Sequence, residues 1–137
     1  MVVGTPAIYT RLAYRQKLPY YQRVKAVFVE LPAFERYRAE YFSDEAFTTL
    51  QAILMKSPEA GDVIEGTGGL RKLRFADARR GKGKRGGLRV IYYWWESGLQ
   101  FWLYTVYDKD ERDDLSPQQR KLLKAMLKAE LEARRKP

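Results

Sequence analysis

Residues 88–107 limit the fold more than any other segment of this chain. The run Leu-Arg-Val-Ile-Tyr-Tyr-Trp-Trp at 88–95 is rich in β-branched and aromatic side chains, which fit a pleated, half-buried strand better than a helix. Glu96-Ser97-Gly98 supplies turn residues, and 99–107 resumes an aromatic-rich strand, so a hairpin is expected here. Along the first strand Val90, Tyr92 and Trp94 face one way, and Arg89, Ile91 and Tyr93 the other. Core packing is the expected fate of most aromatics in the pair, which also include Trp95, Phe101, Trp102, Tyr104 and Tyr107. Alternation keeps some of them from pointing inward. Tyr93 shares its face with Arg89, and an aromatic beside an arginine on a sheet can stack a splayed base.

The remaining elements assemble around that hairpin. Residues 24–30 read as a strand centred on Val27, Phe28 and Val29. Pro32 suits the first turn of a helix, where its missing N–H costs nothing, and Phe34, Tyr37 and Tyr41 follow at helical spacing. Ser43 with Asp44 and Glu45 starts a second helical segment, with Phe47, Leu50, Ile53 and Leu54 as its stripe and Pro58 beyond its end. Residues 60–69, punctuated by four glycines, read as a connection. A strand over 70–75 puts Leu73 and Phe75 on one face and Lys72 and Arg74 on the other. Ser116-Pro117-Gln118-Gln119 is a capping-box start for a last helix, whose Leu122, Leu123, Met126, Leu127 and Leu131 are expected to face inward. Strand, helices, strands, helix makes an α+β single domain over 24–137. Its largely antiparallel sheet of about four strands packs against N-terminal helices and a C-terminal helix. Residues 1–23 form a basic N-terminal extension with a faint resemblance to a transit peptide, a reading that Pro19 and the scarcity of Ser and Thr disfavour.

Charge points to the partner. Residues 70–90 hold nine cations (Arg71, Lys72, Arg74, Arg79, Arg80, Lys82, Lys84, Arg85, Arg89) against the single acid Asp77, nearly the whole +9 excess of the chain. Threaded with glycines and flanked by strands, such a segment suits a polyphosphate, and nucleic acid is the expected ligand. A solvated hairpin tip is the plainer use of such a run. The excess alternates in blocks along the chain, which suggests faces with different partners. No apolar run approaches membrane-spanning length, so a soluble, cytoplasmic protein is expected. The chain has no cysteine and no histidine, which excludes thiol nucleophiles, Cys/His zinc sites, Ser-His-Asp triads and paired-histidine RNA hydrolysis. Neither glycine cluster opens a helix with Gly-Lys-Ser/Thr, so a phosphate-binding loop is excluded too. The acidic run Asp108, Asp110, Glu111, Asp113, Asp114 lacks the glycine and closing glutamate of a calcium loop. No cofactor or metal is expected, and catalysis would fall to Lys, Arg, Tyr, Asp or Glu.

Several motifs together resemble the HigB-like branch of the RelE/ParE toxin superfamily. They are Val27-Phe28-Val29-Glu30, the Tyr41 to Glu45 segment, Gly61-Asp62-Val63-Ile64 and Gly66-Thr67-Gly68-Gly69-Leu70-Arg71-Lys72. With them go Gly81-Lys82-Gly83-Lys84-Arg85-Gly86-Gly87, Arg89-Val90-Ile91-Tyr92-Tyr93, and Tyr107 with Lys109, Glu111 and Asp114-Leu115. The resemblance covers residue 24 to about residue 131. It implies a metal-independent endoribonuclease that cuts mRNA on the ribosome, monomeric when free and neutralised by a co-expressed antitoxin of helix-turn-helix, HigA-like type. In such enzymes the 2′-hydroxyl attacks its own phosphodiester in line, while cations hold the developing charge.

Carried over by position, Lys72 and Arg74 match the family's cationic pair, Arg89 the arginine opening its third strand, and Lys109 a basic residue after its last strand. Lys72 or Lys109 would then serve in proton transfer, a lysine or tyrosine crowded by cations having its pKa lowered enough to act as base. Tyr107 substitutes for a catalytic phenol that some relatives place after Leu115. Arg71, Lys82, Lys84, Arg85 and Tyr93 would bind RNA. The chain departs from the pattern at Asp110, where better-studied relatives carry a further arginine. The alternatives are a non-enzymatic, ParE-like inhibitor of DNA gyrase, or an inactive relative kept for binding antitoxin or nucleic acid. Surface ion pairs with Glu65 or Asp108 are the plain structural use of Lys72, Arg74 and Arg89.

Overall fold

The computed structural model describes residues 26–77, 81, 83, 87–112 and 114–135. The extension at 1–23 and Lys82, Lys84 and Arg85 lie outside the described residues. In chain order the elements are β1 (Val27–Glu30), α1 (Pro32–Tyr41), α2 (Asp44–Lys56), β2 (Asp62–Val63), β3 (Arg71–Phe75), β4 (Leu88–Trp95), β5 (Gln100–Asp108) and α3 (Pro117–Arg135). The fold is α+β, as its pattern of elements requires. Five strands make one sheet in the order β1-β5-β4-β3-β2, one more strand than expected. The addition is β2, two exposed residues inside the 60–69 connection, too short and too polar in its setting to leave a period in the sequence. Only β1, parallel to β5, breaks the antiparallel pattern.

Both faces of the sheet are covered, which is why so many aromatics fit into two strands. One core packs Phe34, Phe47, Leu50 and Leu54 of α1 and α2 against Phe28, Leu73, Val90, Tyr92, Phe101 and Leu103. The other packs Leu123 and Leu127 of α3 against Val29, Ile91, Trp102, Tyr104 and Tyr107. Among the described residues no helix is long and apolar enough to cross a membrane.

Local chemistry sets the element ends. Pro32 opens α1, and the Ser43 hydroxyl accepts from the Ala46 N–H at 3.1 Å to cap α2. At α3 the capping box forms: Gln119 N–H donates to Ser116 Oγ at 3.1 Å, and Ser116 N–H to Gln119 Oε1 at 2.8 Å. The hairpin turns through a 3₁₀ segment at Glu96–Gly98, with Leu99 left-handed at φ 53°. A side chain at Gly98 would overlap the Trp95 ring, so the turn needs glycine there. One expectation for α3 fails: Leu122 is 62% exposed. It lies a helical step of about 100° from Leu123, off the stripe that carries Leu123 and Leu127. Glu130 occupies that stripe instead, buried and paired with Arg134 at 2.7 Å. The Arg134 guanidinium in turn lies 4.8 Å from the Trp95 ring centre and 5.0 Å from that of Trp102.

Candidate functional site

A bulge in β5 builds the site. Ile91 pairs with Thr105 but Tyr92 pairs with Leu103, leaving Tyr104 as an extra residue. An inserted residue reverses the facing of everything after it. Trp102 and Tyr104 therefore share the α3 face with Tyr107, and Val106 joins Leu103 on the other. Without the bulge Tyr107 would point into the α1/α2 core.

Tyr107 thus comes opposite Arg89, and Arg89 opposite Arg74. Arg74, Arg89 and Tyr107 form one lateral row across β3, β4 and β5, with Lys72 on the same face one alternation from Arg74. Cations directly opposite on adjacent strands repel each other. Local rules broken in this way concentrate at functional sites. Arg74 is exposed and, among the described residues, its side chain makes no hydrogen bond or ion pair. Arg89 is only 3% exposed, and its Nη1 donates to the Leu88 carbonyl at 3.1 Å. Burial, then the neighbouring Arg74, lower its pKa, against the opposing pull of Tyr107. Arg89 in this conformation places charge beside Tyr107 and Arg74 instead of meeting a phosphate at the surface.

The acid that meets Lys72 is Asp114, at 3.6 Å, and neither Glu65 nor Asp108. Asp114 also binds Arg120 at 2.9 Å and accepts from the Leu115 N–H at 2.8 Å. Burial alone would raise its pKa, but that hydrogen bond and the two cations hold it below the usual carboxylate range.

Tyr107 corrects one expectation. Its hydroxyl is buried and, among the described residues, has no hydrogen-bond partner. Burial, and after it the Asp114 charge, raise its pKa, and Arg89, Arg112 and Arg120 only partly offset them. Cations do not turn this phenol into a base. It stays protonated and is suited to donate a proton. Arg112 stands with its guanidinium 6.0 Å from the centre of the Tyr107 ring.

The other candidate residues divide. Lys109 follows β5 at the same end of the sheet, its N–H donating to the Gly87 carbonyl at 3.0 Å. Asp110, where the resemblance expects arginine, is exposed beside it. Tyr93 is on the Arg89 face but roughly 13 Å along the strand. Its ring packs 5.3 Å from that of Trp102, in the aromatic layer under α3. Arg71 faces the opposite way from Lys72 and is held by Glu59: Nη1 donates to the Glu59 and Gly61 carbonyls at 3.2 and 2.8 Å, and Nη2 meets Glu59 Oε2 at 3.4 Å. The structure does not bring it to the row. Asp114, Arg112 and Arg120 are the members that sequence reasoning passed over, because an acidic loop and an exposed helix start carry no periodic signal linking them to β3. Among the described residues no cluster of acids could hold a metal ion. No family model matches the chain.

Proposed function

We propose that this protein is an endoribonuclease of the toxin-antitoxin kind, cutting messenger RNA on the ribosome by attack of a 2′-hydroxyl on the adjacent phosphate. The observation that carries this reading is the like-charged pair Arg74 and Arg89, directly opposite each other and continued by Tyr107. A dianionic phosphorane is a ligand whose charge two adjacent cations would hold. In the step itself the 2′-oxygen bonds to phosphorus and the bond to the 5′-oxygen breaks. Lys109 in its neutral form takes the 2′-proton, Lys72, held as a cation by Asp114, joins Arg74 and Arg89 in holding the added negative charge, and protonated Tyr107 supplies the leaving oxygen with its proton. The chemistry needs neither imidazole nor thiolate, in keeping with a chain that has none. The partners of such an enzyme are the ribosome with its message and a neutralising antitoxin.

A second reading, an RNA-binding relative that does not cleave, draws support from the burial of Arg89 and of the Tyr107 hydroxyl. Induced expression of wild type and Arg74→Ala, with messenger 5′ ends mapped, separates the two. Site-specific cuts in translated messages that fall at least a hundredfold in the variant, the scale of one lost electrostatic donor, support cleavage. Salt-sensitive ribosome binding without cuts leaves the second reading standing.

A further inference from the structure

β1 pairs with only Gln100–Leu103 of β5, after which Pro32 turns the chain into α1. Among the described residues the outer edge of β5 beyond Leu103 therefore has no strand beside it. A cavity of about 360 Å³ opens there, between α1, the last residues of β5 and the start of α3. That volume is at the small end of pockets that take small organic ligands. Tyr107 belongs both to this cavity and to the cation row, so the two are contiguous.

From this cavity we infer a guanine-binding subsite for the nucleotide next to the phosphate held by the row. Tyr37 and Tyr41, with ring centres 6.4 Å apart, and Leu122 supply flat and apolar wall. The exposure of Leu122, which nothing in the α3 core requires, fits a wall that a base covers. The polar lining selects among bases. Gln119 spends its carbonyl oxygen on the Ser116 N–H, so its amide is left to donate. Glu111 can only accept. One donor and one carboxylate acceptor in the same lining complement O6 of guanine together with its N1–H and N2 amine, and fit the other bases less fully. Arg112, over the Tyr107 ring at the rim and without an ion pair among the described residues, is placed for a flanking phosphate. This subsite rests on the reading of the chain as an RNA-binding protein, though not on its cutting RNA.

The test titrates the full chain with the four nucleoside 5′-monophosphates, following backbone amide signals. GMP should bind best and move signals from 105–108 and 119–123. Gln119→Glu keeps the acceptor that the capping box needs but replaces the donor, so it should stay folded and weaken GMP about tenfold, the cost of one hydrogen bond. Equal binding of all four nucleotides, shifts confined to other segments, or a Gln119→Glu variant with wild-type GMP affinity overturns the subsite. Mapped cleavage in cells serves as the independent arm. GMP selectivity with no cuts keeps the subsite and removes the nuclease, whereas cuts with no GMP selectivity do the reverse.

Discussion

Tyr107 and Asp114 are the residues at which stability and function separate. Among the described residues the Tyr107 hydroxyl makes no hydrogen bond, so Tyr107→Phe should leave stability within about 0.5 kcal/mol of wild type or improve it. If that proton serves the leaving oxygen, cleavage should fall all the same. Denaturant midpoints measured beside cleavage rates check the pair of outcomes. Raised pKa values at Tyr107 and Tyr104 mean that the folded state holds both protons more tightly than the unfolded one. Their contribution is complete below about pH 10 and is lost as pH rises beyond it, a loss that Tyr107→Phe should reduce. Asp114 works in the opposite sense. Its lowered pKa makes the contacts with Lys72 and Arg120 stabilising above about pH 4 and lost as pH falls through the folded value. Asp114→Asn should therefore cost at most about 1 kcal/mol at neutral pH, since the pair is half-exposed. It should also flatten the acid limb of a stability-against-pH curve.

The bulge in β5 and the stripe of α3 place the parts of the site. Tyr104 as the inserted residue aims Tyr107 at Arg89, and no residue pattern announces it, because the aromatics run through it unbroken. In α3 the stripe visible in the sequence is right at Leu123 and Leu127 and wrong at Leu122. Leu127→Ala should cost about 2–5 kcal/mol, whereas Leu122→Ala should change stability by less than about 0.5 kcal/mol. Thermal or urea unfolding of the two variants side by side decides it, and comparable losses would mean that Leu122 packs after all. Buried Glu130 was illegible for the same reason in reverse. A charged residue on an apolar stripe is legible only once Arg134 and the two tryptophans are seen around it.

Across the whole molecule, helices on both faces leave the cationic row at one end of the sheet, where β3, β4 and β5 run past α3. Binding to RNA there should weaken steeply with salt. Removing Arg74 or Arg112 should each reduce the slope of log affinity against log salt by about 0.7, the single-strand value. Filter binding at several salt concentrations measures it, and an unchanged slope would place the RNA elsewhere. Strand alternation and helix caps are local, so the α+β class, the hairpin, the caps of α2 and α3 and the shared face of Lys72 and Arg74 are all legible in the residues alone. The short fifth strand, the parallel seat of β1, the burial of Arg89, the grip of Asp114 on Lys72 and the raised pKa of Tyr107 arise only in the folded chain. Each of these depends on which distant segments meet and how much water they exclude, and neither quantity is carried by the spacing of residues along a chain.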